Sequence, residues 1–301
     1  MNNRPGDRLG PGLVYGAAAN VLWGVFPLYF LLLAPAGAFE IVAWRVVFSL
    51  AFCAVGLTVT RGWGAFAGVL RRPRLVLTMG VAGALIYVNW QTYVIGTLAG
   101  RVLETSLGYF TMPLVTALLG VIVLRERLRR MQWAALALGG VAVVVIAVGY
   151  GEIPWIALLL ALSFGTYGLV KRRVRDDVDA LGGLALETLW LTPVAIVQLV
   201  VVSLVSGLVF GSAGAGNTVL LVLSGVVTAV PLLLFASAAR RLPLAVLAVV
   251  QYIVPVIQFV IGVWVLHEPM PVERWIGFAI VWVALVLFTV DLLRSRRRTT
   301  G

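Results

Sequence analysis

Apolar runs of about 20 residues recur along this chain with short arginine-rich clusters between them, and few folds accept that pattern. A helix needs about 20 apolar residues to cross the hydrocarbon of a bilayer. On that basis the sequence predicts ten spans, at 12–33, 38–58, 75–98, 103–124, 131–149, 153–170, 181–209, 218–238, 244–266 and 272–293. The runs lack the period-2 alternation of an outer-membrane barrel. Composition agrees, with 61% of residues hydrophobic and 12% charged; a soluble domain is about a quarter charged. The first run follows a short polar tail, "MNNRPGDRLGPG". It is too long for a signal-peptide core and no small-residue cleavage site follows it, so it reads as a retained first helix.

The basic residues give the runs an orientation. If the gaps alternate between inside and outside, starting inside, the inside set takes Arg4, Arg8, Arg61, Arg71, Arg72, Arg74, Arg125, Arg127, Arg129 and Arg130. It also takes Lys171, Arg172, Arg173, Arg175, Arg240, Arg241, Arg294, Arg296, Arg297 and Arg298, which makes 20 of the 23 basic residues. Only Arg101 and Arg274 fall outside, and Arg45 is the one left within a span. The positive-inside rule therefore predicts both termini on the cytoplasmic side of the cell membrane. The same clustering accounts for the net charge of +11, and no basic face exists to track a nucleic acid.

Scarcity excludes several chemistries. One cysteine (Cys53), one histidine (His267) and one lysine (Lys171) cannot build an HExxH or CxxC zinc site. Lys171 follows Val170 rather than glycine, so no phosphate-binding GxxxxGK[ST] loop is present. No metal, cofactor or disulfide is expected, and any pumping must draw on a gradient.

A shift of 142 residues lays "YFTMPLVTALLGVIVLRERLRRMQW" (109–133) over "QYIVPVIQFVIGVWVLHEPMPVERW" (251–275). Pro113 meets Pro255, Gly120 meets Gly262, Glu126 meets Glu268, and Gly83 meets Gly225. This predicts two five-helix repeats, 12–150 and 151–293, flanked by tails 1–11 and 294–301. Five is odd, so the second repeat must enter the membrane the other way up. The charges agree, since "RERLRR" becomes "HEPMPVER" on the opposite side. The expected fold is an all-α polytopic membrane protein with ten transmembrane helices in two inverted repeats. Inverted repeats characterise alternating-access carriers, although some channels share them.

Matched Gly/Pro interruptions point to a carrier's site. Pro113 and Pro255 are the expected hinges, each freeing a carbonyl one turn earlier. Polar residues within spans should face inward. The candidate lining set is Asn20, Trp23, Arg45, Asn89, Trp90, Tyr109, Tyr167, Gln251 and Tyr252, with Glu187 as a proton carrier. Ordinary helix–helix hydrogen bonding is the plain alternative for each polar residue. Glu40 reads as an interfacial anchor, and Glu104 as a carboxylate complementing its own helix dipole. Arg45 lies roughly 7.5 Å deeper than Glu40 at a helical rise and about 140° around from it. Its partner is expected to be Glu187, Glu104 or an anionic substrate.

The segments "NVLWGVFPLYF", "EIVAWRVVFS", "NWQTYV", "ETSLGYFTMPL", "RERLRRMQWAA", "YGLVKRRV", "ETLWLTPVA" and "QYIVPVIQF" resemble the RarD-type permeases of the EamA branch of the drug/metabolite transporter superfamily. The resemblance covers nearly the whole chain. It implies ten helices, two inverted repeats, cytoplasmic ends and secondary transport through a central cavity. The chain departs from the family's pattern at Trp44, where a histidine is usual, and at Phe48, Ile95 and Met112. Any proton role of that histidine is therefore absent here. The expectation is a non-enzymatic exporter of small organic metabolites or drugs, a monomer or homodimer whose partners are its substrate and membrane lipid. A channel, or a transferase using intramembrane carboxylates, is the competing class.

Overall fold

The computed structural model describes residues 6–125, 127–174 and 177–297, and every regular element among them is helical. In chain order these are α1 (Gly6–Gly24), α2 (Phe26–Leu32), α3 (Ala38–Val59), α4 (Trp63–Leu70), α5 (Pro73–Leu98), α6 (Val102–Leu124) and α7 (Arg130–Tyr150). There follow α8 (Trp155–Arg172), α9 (Ala180–Val205), α10 (Ala215–Ala239), α11 (Leu244–Gln251) and α12 (Ile253–Val260). A π-helical turn (Ile261–Val265) and α13 (Val272–Arg297) complete the order. Glu126, half of the expected Glu126–Glu268 match, lies outside the described residues, as do Arg4, Arg175 and Arg298.

Among the described residues, eight helical stretches are long and apolar enough to cross a membrane, and α1 with α2, bent by 42°, makes a ninth. The remaining predicted span, 153–170, is α8, whose 18 residues close on Lys171 and Arg172 and fall outside that set. The predicted span 181–209 stops earlier, at Val205. Past it the chain turns at Gly207 with φ 75°, a conformation that costs glycine no Cβ clash.

Two of the predicted spans are broken, and proline chemistry accounts for the breaks. Pro27 has no N–H to return to the Trp23 carbonyl, so the hydrogen-bond ladder lapses between α1 and α2. Gln258 Nε2 approaches that freed carbonyl at 3.5 Å. Pro255 likewise cannot serve the Gln251 carbonyl, where α11 ends. The matched proline, Pro113, behaves differently, because α6 runs through it without interruption.

The helices pack as a bundle around α3 and α5. α3 lies against α9 and α10, α5 against α8 and α9, α6 against α8 and α12, and α1 against α10 and α12. α7 and α13 pair along their length at the edge, beside α6. The main apolar core holds Phe26, Phe30, Ile41, Val42, Met79, Trp90 and Leu186. A second core joins α6, α7, α12 and α13 through Leu103, Phe110, Ile146, Phe259 and Phe278. Large apolar side chains such as Val59, Val148, Leu204 and Val286 point outward, as a lipid solvent permits.

Candidate functional site

Arg45 sits in the second turn of α3 and is 4% exposed. Three rings surround its guanidinium, with centroids 4.2 Å (Trp90), 5.5 Å (Phe30) and 5.6 Å (Phe26) from Cζ. Trp90 comes from α5, and the broken first span delivers the two phenylalanines on α2. Arg45 Nε donates to Thr228 Oγ1 of α10 at 2.7 Å. The Thr228 hydroxyl spends its own proton on the Ser224 carbonyl, which fixes it as an acceptor toward Arg45. Among the described residues no carboxylate pairs with Arg45.

A chain of rings leads away from this arginine. Phe30 packs on Tyr93 at 5.9 Å, Tyr93 on Tyr109 at 5.8 Å, Tyr109 on Phe164 at 6.3 Å, and Phe164 on Tyr167 at 5.6 Å. Polar groups decorate it. Tyr109 donates to Asn89 Oδ1 at 3.3 Å, and Asn89 Nδ2 donates to the Leu160 carbonyl and to Ser163 Oγ. Gln258 Nε2 donates to the Tyr93 hydroxyl at 2.9 Å. At the far end the Tyr167 hydroxyl and Lys171 Nζ both donate to Glu187, the ammonium at 2.8 Å. Glu187 is 3% exposed and Lys171 about a third exposed, so this ion pair reaches from the interior to the edge of the bundle.

The structure therefore brings Arg45, Asn89, Trp90, Tyr109, Tyr167 and Glu187 into one belt. The other expected residues lie elsewhere. Asn20 is buried on α1 and donates to the Gly16 carbonyl of its own helix. Trp23 packs on Phe235 of α10. Tyr252 turns toward α13, its hydroxyl 3.4 Å from Thr289 Oγ1, and Gln251 is half-buried beside it. Six residues of this arrangement, Phe26, Phe30, Tyr93, Phe164, Thr228 and Gln258, are not among the candidates the sequence offers. Gln258 carried a signal, being an amide within an apolar run. Thr228 carried none, because threonine is common in spans and only folding places it on Arg45.

Two carboxylates away from the belt, the buried Glu104 and the half-buried Glu268, have structural work. Glu104 Oε1 accepts from the Ile156 N–H at 2.8 Å, and its Oε2 lies 2.6 Å from Arg101. It thus complements the N-terminus of α8, where its own helix was expected. Glu268 caps α6 through the N–H groups of Val102 and Leu103. Neither expected carboxylate partner of Arg45 is therefore in place, since Glu104 holds Arg101 and Glu187 holds Lys171.

Comparison with known proteins gives the arrangement a family. The EamA-like transporter family matches the chain over residues 10–148 and 153–290. "Protein RarD" of Streptomyces exfoliatus is 46% identical over 288 residues, covering 96% of this chain and 91% of that protein. "Uncharacterized transporter YojE" of Bacillus subtilis (strain 168) is 40% identical over 291 residues, covering 95% and 96%. "Protein RarD" of Escherichia coli (strain K12) is 38% identical over 289 residues, covering 96% and 97%. A solved structure titled "Crystal structure of protein" shares the fold with a TM-score of 0.61 at 20% identity, covering 94% of this chain and 98% of its own. With its two matched segments and near-full-length relatives, the chain belongs to the EamA-like transporter family, as a RarD-type membrane transporter of the drug/metabolite superfamily.

Proposed function

We propose that the chain is a secondary active exporter of small organic metabolites or drugs, working by alternating access between two inverted five-helix repeats in the cell membrane. One observation carries this reading. The buried polar belt is built across the two halves, with Arg45 on Thr228, Asn89 on Ser163, and Lys171 beside Glu187 within the second half. A site shared by two halves can be opened from either side by moving one half against the other.

The packing supports the repeat. Exchange α1 with α8, α3 with α9, α5 with α10, α6 with α12 and α7 with α13. The α5–α9 contact then becomes α10–α3, α6–α8 becomes α12–α1, and α5–α8 becomes α10–α1, each of which is present. Counting α8 as a span gives ten, and the arginine bias places both ends in the cytoplasm. In this reading Pro255 is a hinge at the break between α11 and α12, Pro113 is one that bends only in other conformations of the cycle, and Asn20, Trp23, Gln251 and Tyr252 line the path in those conformations.

Glu187 is the proton carrier in this scheme, and Lys171 is its countercharge. Protonation of Glu187 releases Lys171, so the pair couples a proton to a change in the α8–α9 contact. Reconstitution in liposomes with an imposed pH gradient tests the proposal. Gradient-driven uptake or exchange should appear in a broad solute screen, and Glu187→Gln should lose the gradient dependence while keeping exchange. Unchanged coupling in that variant removes Glu187 from the mechanism, and the absence of any driven solute removes the carrier.

The carboxylates weigh against the transferase alternative. Glu104 meets α8 at Ile156 and Glu187 meets it at Lys171, fifteen residues on. That separation is roughly 22 Å along a helix, too far for a concerted acid–base pair. A channel would be revealed by conductance that does not saturate.

A further inference from the structure

We propose that the Arg45 site takes the carboxylate of a small organic monoacid with an apolar, ring-sized body. This rests on the carrier reading of the same site and names its class of cargo.

A guanidinium keeps its charge in proteins, and burying one without a counter-ion costs several kcal/mol. Arg45 is buried and the described residues offer it no carboxylate. Its aromatic cage supplies cation–π attraction, which leaves hydrogen bonding unmet. Thr228 occupies Nε, and neither Nη group has a hydrogen bond among the described residues. The edge formed by the two Nη groups is the fork that donates to both oxygens of a carboxylate.

Two buried atoms lack partners in the same neighbourhood. Ser49 Oγ lies one turn from Arg45 along α3, and Gln258 Oε1 belongs to the amide that holds Tyr93. Buried polar atoms without partners are few in folded proteins, and each needs an explanation. A bound polar solute supplies one. Charge decides the rest. The belt's other cation, Lys171, is neutralised by Glu187, so one unmatched positive charge remains and a monoanion balances it. Phe26, Phe30 and Trp90 form apolar walls, which suit a hydrocarbon or aryl body.

Equilibrium dialysis of the purified, detergent-solubilised protein with matched probe pairs tests this. The pairs are benzoate against benzamide and 3-phenylpropionate against 3-phenylpropionamide, with inorganic phosphate as a third probe. At least one acid should bind saturably, with its amide at least tenfold weaker and phosphate weaker still. Arg45→Gln should lose at least tenfold in acid affinity, and Arg45→Lys, which keeps the charge without the fork, should lie between. Equal binding of acid and amide, tighter binding of phosphate, no acid binding, or full affinity in Arg45→Gln each overturns the proposal. The acid–amide comparison needs only the wild-type chain, so misfolding of a variant does not protect it. Acid binding without gradient-driven movement would count against the carrier reading alone. Gradient-driven movement of neutral solutes without acid binding would count against the monoacid alone.

Discussion

Glu40 holds a loop 169 residues away. Its Oε1 accepts from the Phe210 N–H at 2.8 Å, and its two oxygens share the Val209 N–H at 2.9 and 3.0 Å. Trp44, one turn on, stacks on Phe210 at 4.3 Å, so the same turn of α3 grips the loop twice. Orphaning two buried donors costs about 1–3 kcal/mol each. Glu40→Ala should therefore lower the unfolding free energy in detergent by about 2–4 kcal/mol, and Glu40→Gln, which keeps an acceptor, by less. An unfolding midpoint that does not move in Glu40→Ala would show that water serves these N–H groups equally well. By sequence Glu40 reads as an interfacial anchor, but the structure buries it at 1% exposure. An acidic side chain near a span's end looks the same in either role. Only the distant backbone that comes to meet it distinguishes them, and backbone N–H groups have no sequence signature. Arg45 differs, because its isolation among the arginines marked it from the outset, although the identity of Thr228 as its acceptor did not show.

At the scale of elements, helix contacts in this bundle are set by small residues as much as by hydropathy. A Cβ on Gly225 would lie 2.3 Å from the Phe48 carbonyl oxygen, so α10 and α3 touch backbone to side-chain position. A Cβ on Gly83, the residue that the 142-residue shift lays over Gly225, would lie 3.3 Å from the Glu187 carbonyl oxygen where α5 meets α9. Close approach of this kind is what small residues permit in membrane helices. Gly225→Ala must drive two helices apart, at a cost of about 1–3 kcal/mol or more. It also shifts Thr228, one turn along α10, away from Arg45. Transport should fall at least tenfold in Gly225→Ala and by no more than about twofold in Gly83→Ala, with unfolding midpoints ranked the same way. Equal effects would mean that the contacts are slack. Hydropathy made the helices legible because each must satisfy its own backbone in lipid. It does not locate the α1–α2 bend; the α11–α12 break falls where the proline pattern expects a hinge, at Pro255, but Pro113 shows that a proline in a span does not by itself interrupt the helix. It also left α4, eight residues between two basic clusters, as part of a loop.

For the whole molecule, function depends on which end of the belt faces the cytoplasm. Lys171 and Glu187 lie toward the end that carries the arginine clusters; at the other, Glu104 and Glu268 bind the N-termini of α8 and α6, and Glu40 binds the loop after α9. At that second end the first turns of α6, from Val102 to Gly108, are buried throughout, whereas Ala248 and Val249 of α11, near the equivalent positions, are exposed. In the proposed export cycle the chain loads from the arginine end. Labelling can test this directly, because Cys53 is the chain's only cysteine and is buried. In a Cys53→Ala background, Ser212→Cys places a thiol on the exposed loop after α9, and Gly68→Cys places one on α4 where no neighbour lies within 4 Å. A membrane-impermeant maleimide added to intact cells should label position 212 and spare position 68 until the membrane is permeabilised. The reverse pattern would put Lys171 and Glu187 outside, where a proton would enter on the loading side, and the same machinery would then be an importer.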